Sequence, residues 1–350
     1  MNCLALCGIL MLGLPAGAAE PSTIDDRIKA GVRLHDAGDY AGAMAAYRAI
    51  LNDEPHHPLA TYELCFSWST TGQDLEGLVA TAREALASDR EQLPALHAVL
   101  GNALDGLGRL TEGEAAFRAA LERKPHDPLL IFNLGVNQSL QNKHEEASTA
   151  FLEAVTQRPN YASAWLALGS NLETLNRPAR SFAAYARFLT IEPESKRSAT
   201  PAAKLWALLF SGVEAHASGE SKNNITITVP PERAGGDQVT SEMTEGLVLG
   251  IVAANRWVEK WEGKSDAEFF VEALDSSLTI FSELGSDEPF WAAVLPFFTA
   301  ARKAGHDQAM AYDLRRLLDD PESRRWIEKH AKAIARYREW AAAWTPAAKP

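Results

Sequence analysis

The sequence predicts an all-α, mainly helical protein: an α-solenoid of five helix pairs, then a helical domain with one short extended segment. Three observations carry this. Residues of fixed type recur at a 34-residue step through the first half of the chain. Apolar residues recur at three- and four-residue steps through most of the second half, the spacing of a helix face. The composition is 46% hydrophobic, 23% charged and 8% aromatic over 350 residues, which excludes collagen-like, disordered and small disulfide-scaffold folds. This length suits about two domains, each able to bury a core. The formal charge of −12 gives no general attraction to phosphate backbones or anionic lipid, so nucleic acid is not an expected partner.

The first element is a leader. Cys3 to Leu14 is uncharged and mostly apolar, and Pro15 and the small residues Ala16-Gly17-Ala18-Ala19 follow it. This reads as a secretory signal peptide, residues 1–19, cut after Ala19, although no Lys or Arg precedes the apolar run. The run is too short for a bilayer, which needs about 20 apolar residues. Cleavage would leave Cys65 as the sole cysteine, so neither an internal disulfide nor a cysteine-based zinc site is expected. No integral membrane segment is expected after Glu20, and the localisation that follows is periplasmic or secreted.

The repeats come next. Gly101, Gly135 and Gly169 keep the 34-residue step, as do Phe117, Phe151 and Tyr185, and Pro125, Pro159 and Pro193. Gly31, Tyr47 and Pro55 stand seventy residues before Gly101, Phe117 and Pro125, one plain step and one step two residues longer. Five units result: 24–57, 58–93, 94–127, 128–161 and 162–195, within a segment spanning 20–195. The small residue of each unit, Cys65 in the second, lets two helices approach closely. The large rings are expected to fill the space between successive units. Pro55, Pro125 and Pro159 close second helices, since proline cannot continue a helix from its interior.

These residues resemble the tetratricopeptide repeat, whose pattern runs W-x2-L-G-x2-Y, then A-x3-F, then P. Trp165, Leu168 and Gly169 match its first part, and Ala147, Phe151, Ala154 and Pro159 its second. The second unit departs most, with Cys65 for glycine and no closing proline. The resemblance covers about half of the chain and implies stacked helix pairs with a concave face lined by first helices. It also implies binding of another protein or a peptide segment there.

Positions two, five, nine and twelve of each first helix fall on that face. They are Asp25, Ile28, Val32 and His35; Leu59, Tyr62, Phe66 and Ser69; Ala95, Ala98, Asn102 and Asp105; Leu129, Phe132, Val136 and Ser139; Ser163, Leu166, Ser170 and Glu173. None is Lys or Arg, so the carboxylate clamp of some family members is not carried over. Tyr62, Phe66, Leu129, Phe132 and Val136 offer apolar anchors, with Asn102 and Asp105 as polar fixers, which suits an apolar or helical segment. Coverage of the same face by the protein's own chain is the alternative.

After Pro193 the period stops, and 196–201 reads as a linker to a helical domain at 202–345. Residues 20–195 carry 15 basic and 24 acidic side chains, residues 196–350 carry 19 and 22, so the acidity is concentrated in the repeats. Helices are expected at 202–217, 241–262, 266–284, 289–304 and 321–344. Ile225 to Val229 alternates β-branched residues and reads as one extended segment with no second strand to pair. It is either draped on helices or an edge open to a partner strand.

No metalloprotease, nucleophile-elbow, phosphate-loop or dinucleotide motif occurs, and no catalytic residue, metal ligand or cofactor is assigned. His56, His57 and His126 lie in turns and read as solvated, and the arginines and lysines from Arg315 to Arg338 read as the wet side of the last helices. The expected function is an exported interaction or scaffold protein. An enzyme with its site in the second half, recruiting substrate through the repeats, and a structural homo-oligomer are the alternatives.

Overall fold

A computed structural model describes residues 23–88, 94–211, 213–218, 221–227, 241–257, 263–284 and 288–346. The leader at 1–19 lies outside the described residues. Ten helices follow the expected units two by two: α1 Ile24–Asp36, α2 Tyr40–Asp53, α3 Pro58–Thr71, α4 Leu75–Ser88, α5 Pro94–Gly106, α6 Leu110–Arg123, α7 Pro128–Leu140, α8 His144–Gln157, α9 Ala162–Thr174 and α10 Pro178–Ile191.

Short-range chemistry sets their ends. Thr23, Asp39 and Asp127 side chains accept from the free N–H groups that open α1, α2 and α7. His57, expected to be solvated, does the same for α3: its Nδ1 accepts from the Ala60 N–H at 3.2 Å. The turn inside each pair holds a residue with positive φ in the same column, Gly38, Gly72 and Gly108, then Asn142 and Asn176, with Asp74 a second one in the α3–α4 turn, since the left-handed conformation admits glycine, asparagine and aspartate most readily.

The small residues make room for the large rings. A Cβ on Gly135 would lie 2.8 Å from the Phe151 ring, and one on Gly169 2.6 Å from the Tyr185 ring. A Cβ on Gly31 would meet the Tyr47 ring in the same way. These three large rings therefore pack against the glycine of their own unit. Phe117 is fully buried, as the ring column requires.

The chain divides into two compact units between Ala116 and Phe117, inside α6, rather than at the expected linker 196–201. The first unit has two core clusters, one around Ile28, Tyr47, Ile50 and Leu64, the other around Cys65, Leu78, Val99 and Leu104. Burial pushes the Cys65 thiol up to about 12, so it behaves as a small apolar side chain.

The second unit has one core running from Ile131 to Ala341. After α10 it contains α11 Ala199–Leu209, β1 Val213–Ser218, β2 Ser221–Ile227, α12 Ser241–Ala254, a 3-10 turn Asn255–Trp257, α13 Asp266–Leu284, α14 Pro289–Lys303, α15 Asp307–Leu314, α16 Pro321–Lys329 and α17 Ala331–Ala343. The segment 196–201 does not separate two cores, because α11 starts at Ala199 and α10 is buried without a break from Ala179 to Leu189.

Two arginines stand in that buried stretch. Arg180 donates from Nε and Nη2 to the Glu245 carboxylate of α12 at 2.8 and 2.9 Å, and from Nη1 to Glu288 at 3.1 Å. Glu288 also caps α14, and Glu245 accepts from the Trp291 indole at 2.7 Å. Arg187 lies 4.0 Å over the Phe297 ring and donates to Thr190 Oγ1 and Asn160 Oδ1, both at 2.7 Å.

The extended segment has a partner after all. β2 pairs antiparallel with β1, with Val213 opposite Ile227 and Ala215 opposite Ile225, so the helix expected to run to 217 ends at Leu209. Gly250 of α12 leaves room for this hairpin: a Cβ there would lie 2.6 Å from Ile227 Cγ2. The helix expected at 321–344 breaks at His330, whose ring stacks on Trp326 and whose Nδ1 lies 2.9 Å from the Trp326 carbonyl oxygen.

Replacing Glu245 by alanine removes both strong bonds to a guanidinium that stays buried. The expected loss is about 3 kcal/mol in denaturant unfolding, since removing the bidentate partner of a buried guanidinium costs more than the pair contributes even with Glu288 still bonded to Nη1. A loss below about 1 kcal/mol, the scale of a surface pair, would show that Arg180 escapes to solvent.

Candidate functional site

In the first unit, α1 and α3 bring a row of rings to one face. His35 stacks on Phe66 at 5.0 Å, and Phe66 stacks on Tyr62 at 5.8 Å with nearly parallel planes. Tyr40 meets the other side of His35 edge-on at 5.1 Å. His35 Nδ1 shares a hydrogen bond of 2.8 Å with Ser67 Oγ, which fixes the imidazole at the centre of the row. Phe66 is 39% exposed and Leu59 is 43% exposed, so the row keeps an open apolar side. Asn102 is exposed and Asp105 half-buried on α5.

Carboxylates border these rings. Burial pushes Glu63 up, His35 draws it down, and Asp36 pushes it up again. Burial and then Glu63 push the Tyr62 phenol up. The Tyr47 phenol behind the row is pushed up to about 12 by burial first, then by Glu63 and Asp36.

Some expected face positions belong to the core. Ile28 and Ala98 are buried, because the neighbouring helix covers that edge of the face. In the second unit, Leu129 is 53% exposed, but Phe132 packs on Phe151 at 5.7 Å and on Tyr161 at 5.1 Å. Val136 is half-buried against the same core. In the fifth repeat the chain covers its own face: Arg197 Nη1 donates to Ser163 Oγ at 3.0 Å, and Lys204 of α11 reaches Glu173 at 2.6 Å.

The basic residues near the end are mostly engaged. Arg315 is buried over the Trp206 and Phe270 rings and paired with Asp320, while Arg316 and Arg338 both reach Asp313 and Glu194. Sequence reasoning placed them on a wet face because, apart from Asp313 three residues before Arg316, these acidic partners lie five or more positions away in the chain. Arg256 is likewise held by Asp266 at 3.1 Å. Among the described residues, no group of three or more His, Cys, Asp or Glu could hold a metal, and no helix is long and apolar enough to cross a membrane.

Helix pairs at this period, with a ring set against a small residue and a proline after the second helix, define a tetratricopeptide array. Residues 79–136 and 140–196 match the family model described as tetratricopeptide repeat, so this segment carries tetratricopeptide repeats. Solved structures similar to the chain include TTC0263, a thermophilic TPR protein of Thermus thermophilus, 19% identical with a TM-score of 0.45, covering 52% of this chain and 98% of that one. Another is PilF of Pseudomonas aeruginosa, 20% identical with a TM-score of 0.42, covering 53% of this chain and 90% of that one. A third is YrrB, titled a TPR protein with an unusual peptide-binding site, 18% identical with a TM-score of 0.41, covering 49% and 88%. No curated protein matches the chain.

The burial pattern separates anchor from core. Phe132→Ala is expected to lower stability by about 2 kcal/mol, part of the usual cost of emptying a phenylalanine site, whereas Phe66→Ala should change it by less than about 1 kcal/mol. Thermal unfolding of both variants checks this, and equal losses would place Phe66 in the core.

Proposed function

We propose that the protein is an exported interaction protein whose first unit docks an apolar or helical segment of another protein on the α1–α3 ring face. The open side of the His35–Phe66–Tyr62 row, continued by Leu59, carries this reading. Contiguous exposed apolar surface is a mark of interaction sites, and aromatic anchors supply most of the energy in such sites. Each apolar side chain that a partner covers adds about 1.5–3 kcal/mol at most. Two or three anchors therefore support a modest, reversible affinity, and the action is noncovalent. Leu129 on α7 offers a separate apolar anchor in the second unit.

The face selects its ligand from a display library of random peptides. Sequences enriched on the wild-type chain should carry aliphatic or aromatic residues at helical spacing, and Leu59→Ser with Phe66→Ser should abolish the enrichment. No enrichment on the wild type, or equal enrichment on the variant, would remove this reading.

Export is the second part of the proposal, supported by the apolar run and the small residues that end at Ala19. Intact-mass analysis of the protein from its native host is expected to give a chain starting at Glu20. A mature chain that retains residues 1–19 would contradict export.

A further inference from the structure

Among the described residues, Arg187 of α10 is the most deeply buried charged side chain, 1% exposed. Its hydrogen bonds go to neutral oxygens alone: Thr190 Oγ1 and Asn160 Oδ1 at 2.7 Å and the Pro159 carbonyl oxygen at 3.3 Å. Burial draws the guanidinium down to about 10, so it stays protonated at neutral pH. Arg180, on the same helix, is balanced by two carboxylates; Arg187 bonds to none among the described residues. A buried group whose donors are met but whose charge is not balanced keeps a positive potential around it.

A cavity of about 290 Å³ adjoins this charge, and its wall includes both side chains that accept from Arg187, Asn160 and Thr190. Ile191 of α10 and Ala341 and Ala342 of α17 make an apolar side, and Arg338 of α17 brings a second guanidinium. Arg338 donates from Nε and Nη2 to Asp313 at 2.9 and 3.0 Å and from Nη2 to Glu194 at 2.9 Å, and its Nη1 makes no bond among the described residues. Arg316 shares the same two carboxylates, at 2.8 Å to Glu194 and 2.7 Å to Asp313. Glu192, which follows α10, is taken by Arg197. Arg187, Arg316 and Arg338 are thus set against two carboxylates, which leaves one positive charge unbalanced at the cavity.

We propose that this cavity binds a small organic carboxylate, with its anionic end beside Asn160, Thr190 and Arg338 and its apolar remainder on Ile191, Ala341 and Ala342. The ligand supplies the missing counter-charge. Arg187 acts on it from behind its two acceptors, and Arg338 Nη1 offers the N–H donors that its own ion pairs leave over. A planar carboxylate matches the fork of a guanidinium, and such charge-assisted bonds are the strong ones. The volume sets the rest of the molecule: at about 30 Å³ for each water-sized group, the cavity takes on the order of ten non-hydrogen atoms. A bare inorganic anion would leave the apolar side uncovered. This site does not depend on the docking proposed for the first unit.

The test uses the full chain with isotope-labelled tryptophan rings. Trp344 is the reporter, because its ring lies 5.4 Å from the Arg187 guanidinium and its carbonyl oxygen accepts from Asn160 Nδ2 at 3.4 Å. The chain is titrated with benzoate, with the neutral isostere benzamide and inorganic phosphate as comparisons. The Trp344 signal, assigned from Trp344→Phe, should shift saturably with benzoate only. Ala342 is exposed, so Ala342→Phe fills the cavity without altering a charge or the core, and it should weaken the benzoate response at least tenfold. Arg187→Met keeps the bulk and removes the unbalanced charge, and it should weaken the response by about tenfold, the scale of one charge-assisted contact. No saturable shift, an equal shift with benzamide or phosphate, or full retention in either variant overturns the proposal. If Arg187→Met fails to fold, Ala342→Phe and the benzamide comparison decide the matter by themselves.

Discussion

The second unit depends on the burial of α10. A terminal helix of a repeat array normally turns a polar face to water, because no further repeat covers it. Here eleven consecutive residues, Ala179 to Leu189, are buried, and two of them are arginines. Burying a guanidinium is tolerable only where its donors are met, so each arginine dictates the placement of what covers it. Arg180 requires Glu245 of α12 and Glu288 at the start of α14. Arg187 is met by neutral oxygens and by the Phe297 and Trp344 rings, and burial draws it down to about 10, which leaves it protonated at neutral pH. The helices after the repeats therefore act as the cap of the array.

Within the repeats the governing quantity is volume across one helix pair. Wherever the first helix has glycine at the contact, the second has a large ring sixteen residues later: Gly31 with Tyr47, Gly135 with Phe151, Gly169 with Tyr185. The second repeat has Cys65 in the glycine position and Thr81 in the ring position. A larger residue on one side is matched by a smaller one on the other, as close packing demands. The departure of that repeat from the family pattern is thus a paired exchange, and it explains a buried, unreactive cysteine without any chemical role.

What the sequence made legible is what repeats. Helix pairs and their proline ends follow from period and spacing, and of the apolar positions that spacing singled out, Phe66 and Leu129 are exposed and Tyr62 is half-buried. What it hid depends on partners far along the chain. The pairs Arg180–Glu245 and Arg338–Glu194 join residues separated by 65 and 144 positions, beyond any local pattern. The hairpin was hidden because β1 lies in a stretch whose apolar residues also fit a helix. Phe132 is half-buried and packs on Phe151 and Tyr161, contacts that the spacing of the first helix alone does not reveal. One signal could have been read: the turn column Gly38, Gly72, Gly108 ends in Asn142 and Asn176, the residue type next best suited to positive φ.

Repetition also lets one column be finished in two ways. At the fifth repeat, position twelve of the first helix is Glu173, and it accepts from the buried tyrosine and from Lys204. At the first repeat the same position is His35, which turns to Ser67 and stacks on Phe66 instead. A hydroxyl partner thus takes the place of a carboxylate at this position, and the imidazole joins the ring row of α1 and α3. The closed version stabilises the chain, since the cation is already held in place. The first-repeat version leaves an apolar ring at the surface instead, with Phe66 39% exposed. The difference decides what each repeat can offer, because a face closed by the chain's own Lys204 is already used, whereas exposed apolar surface remains available to a ligand.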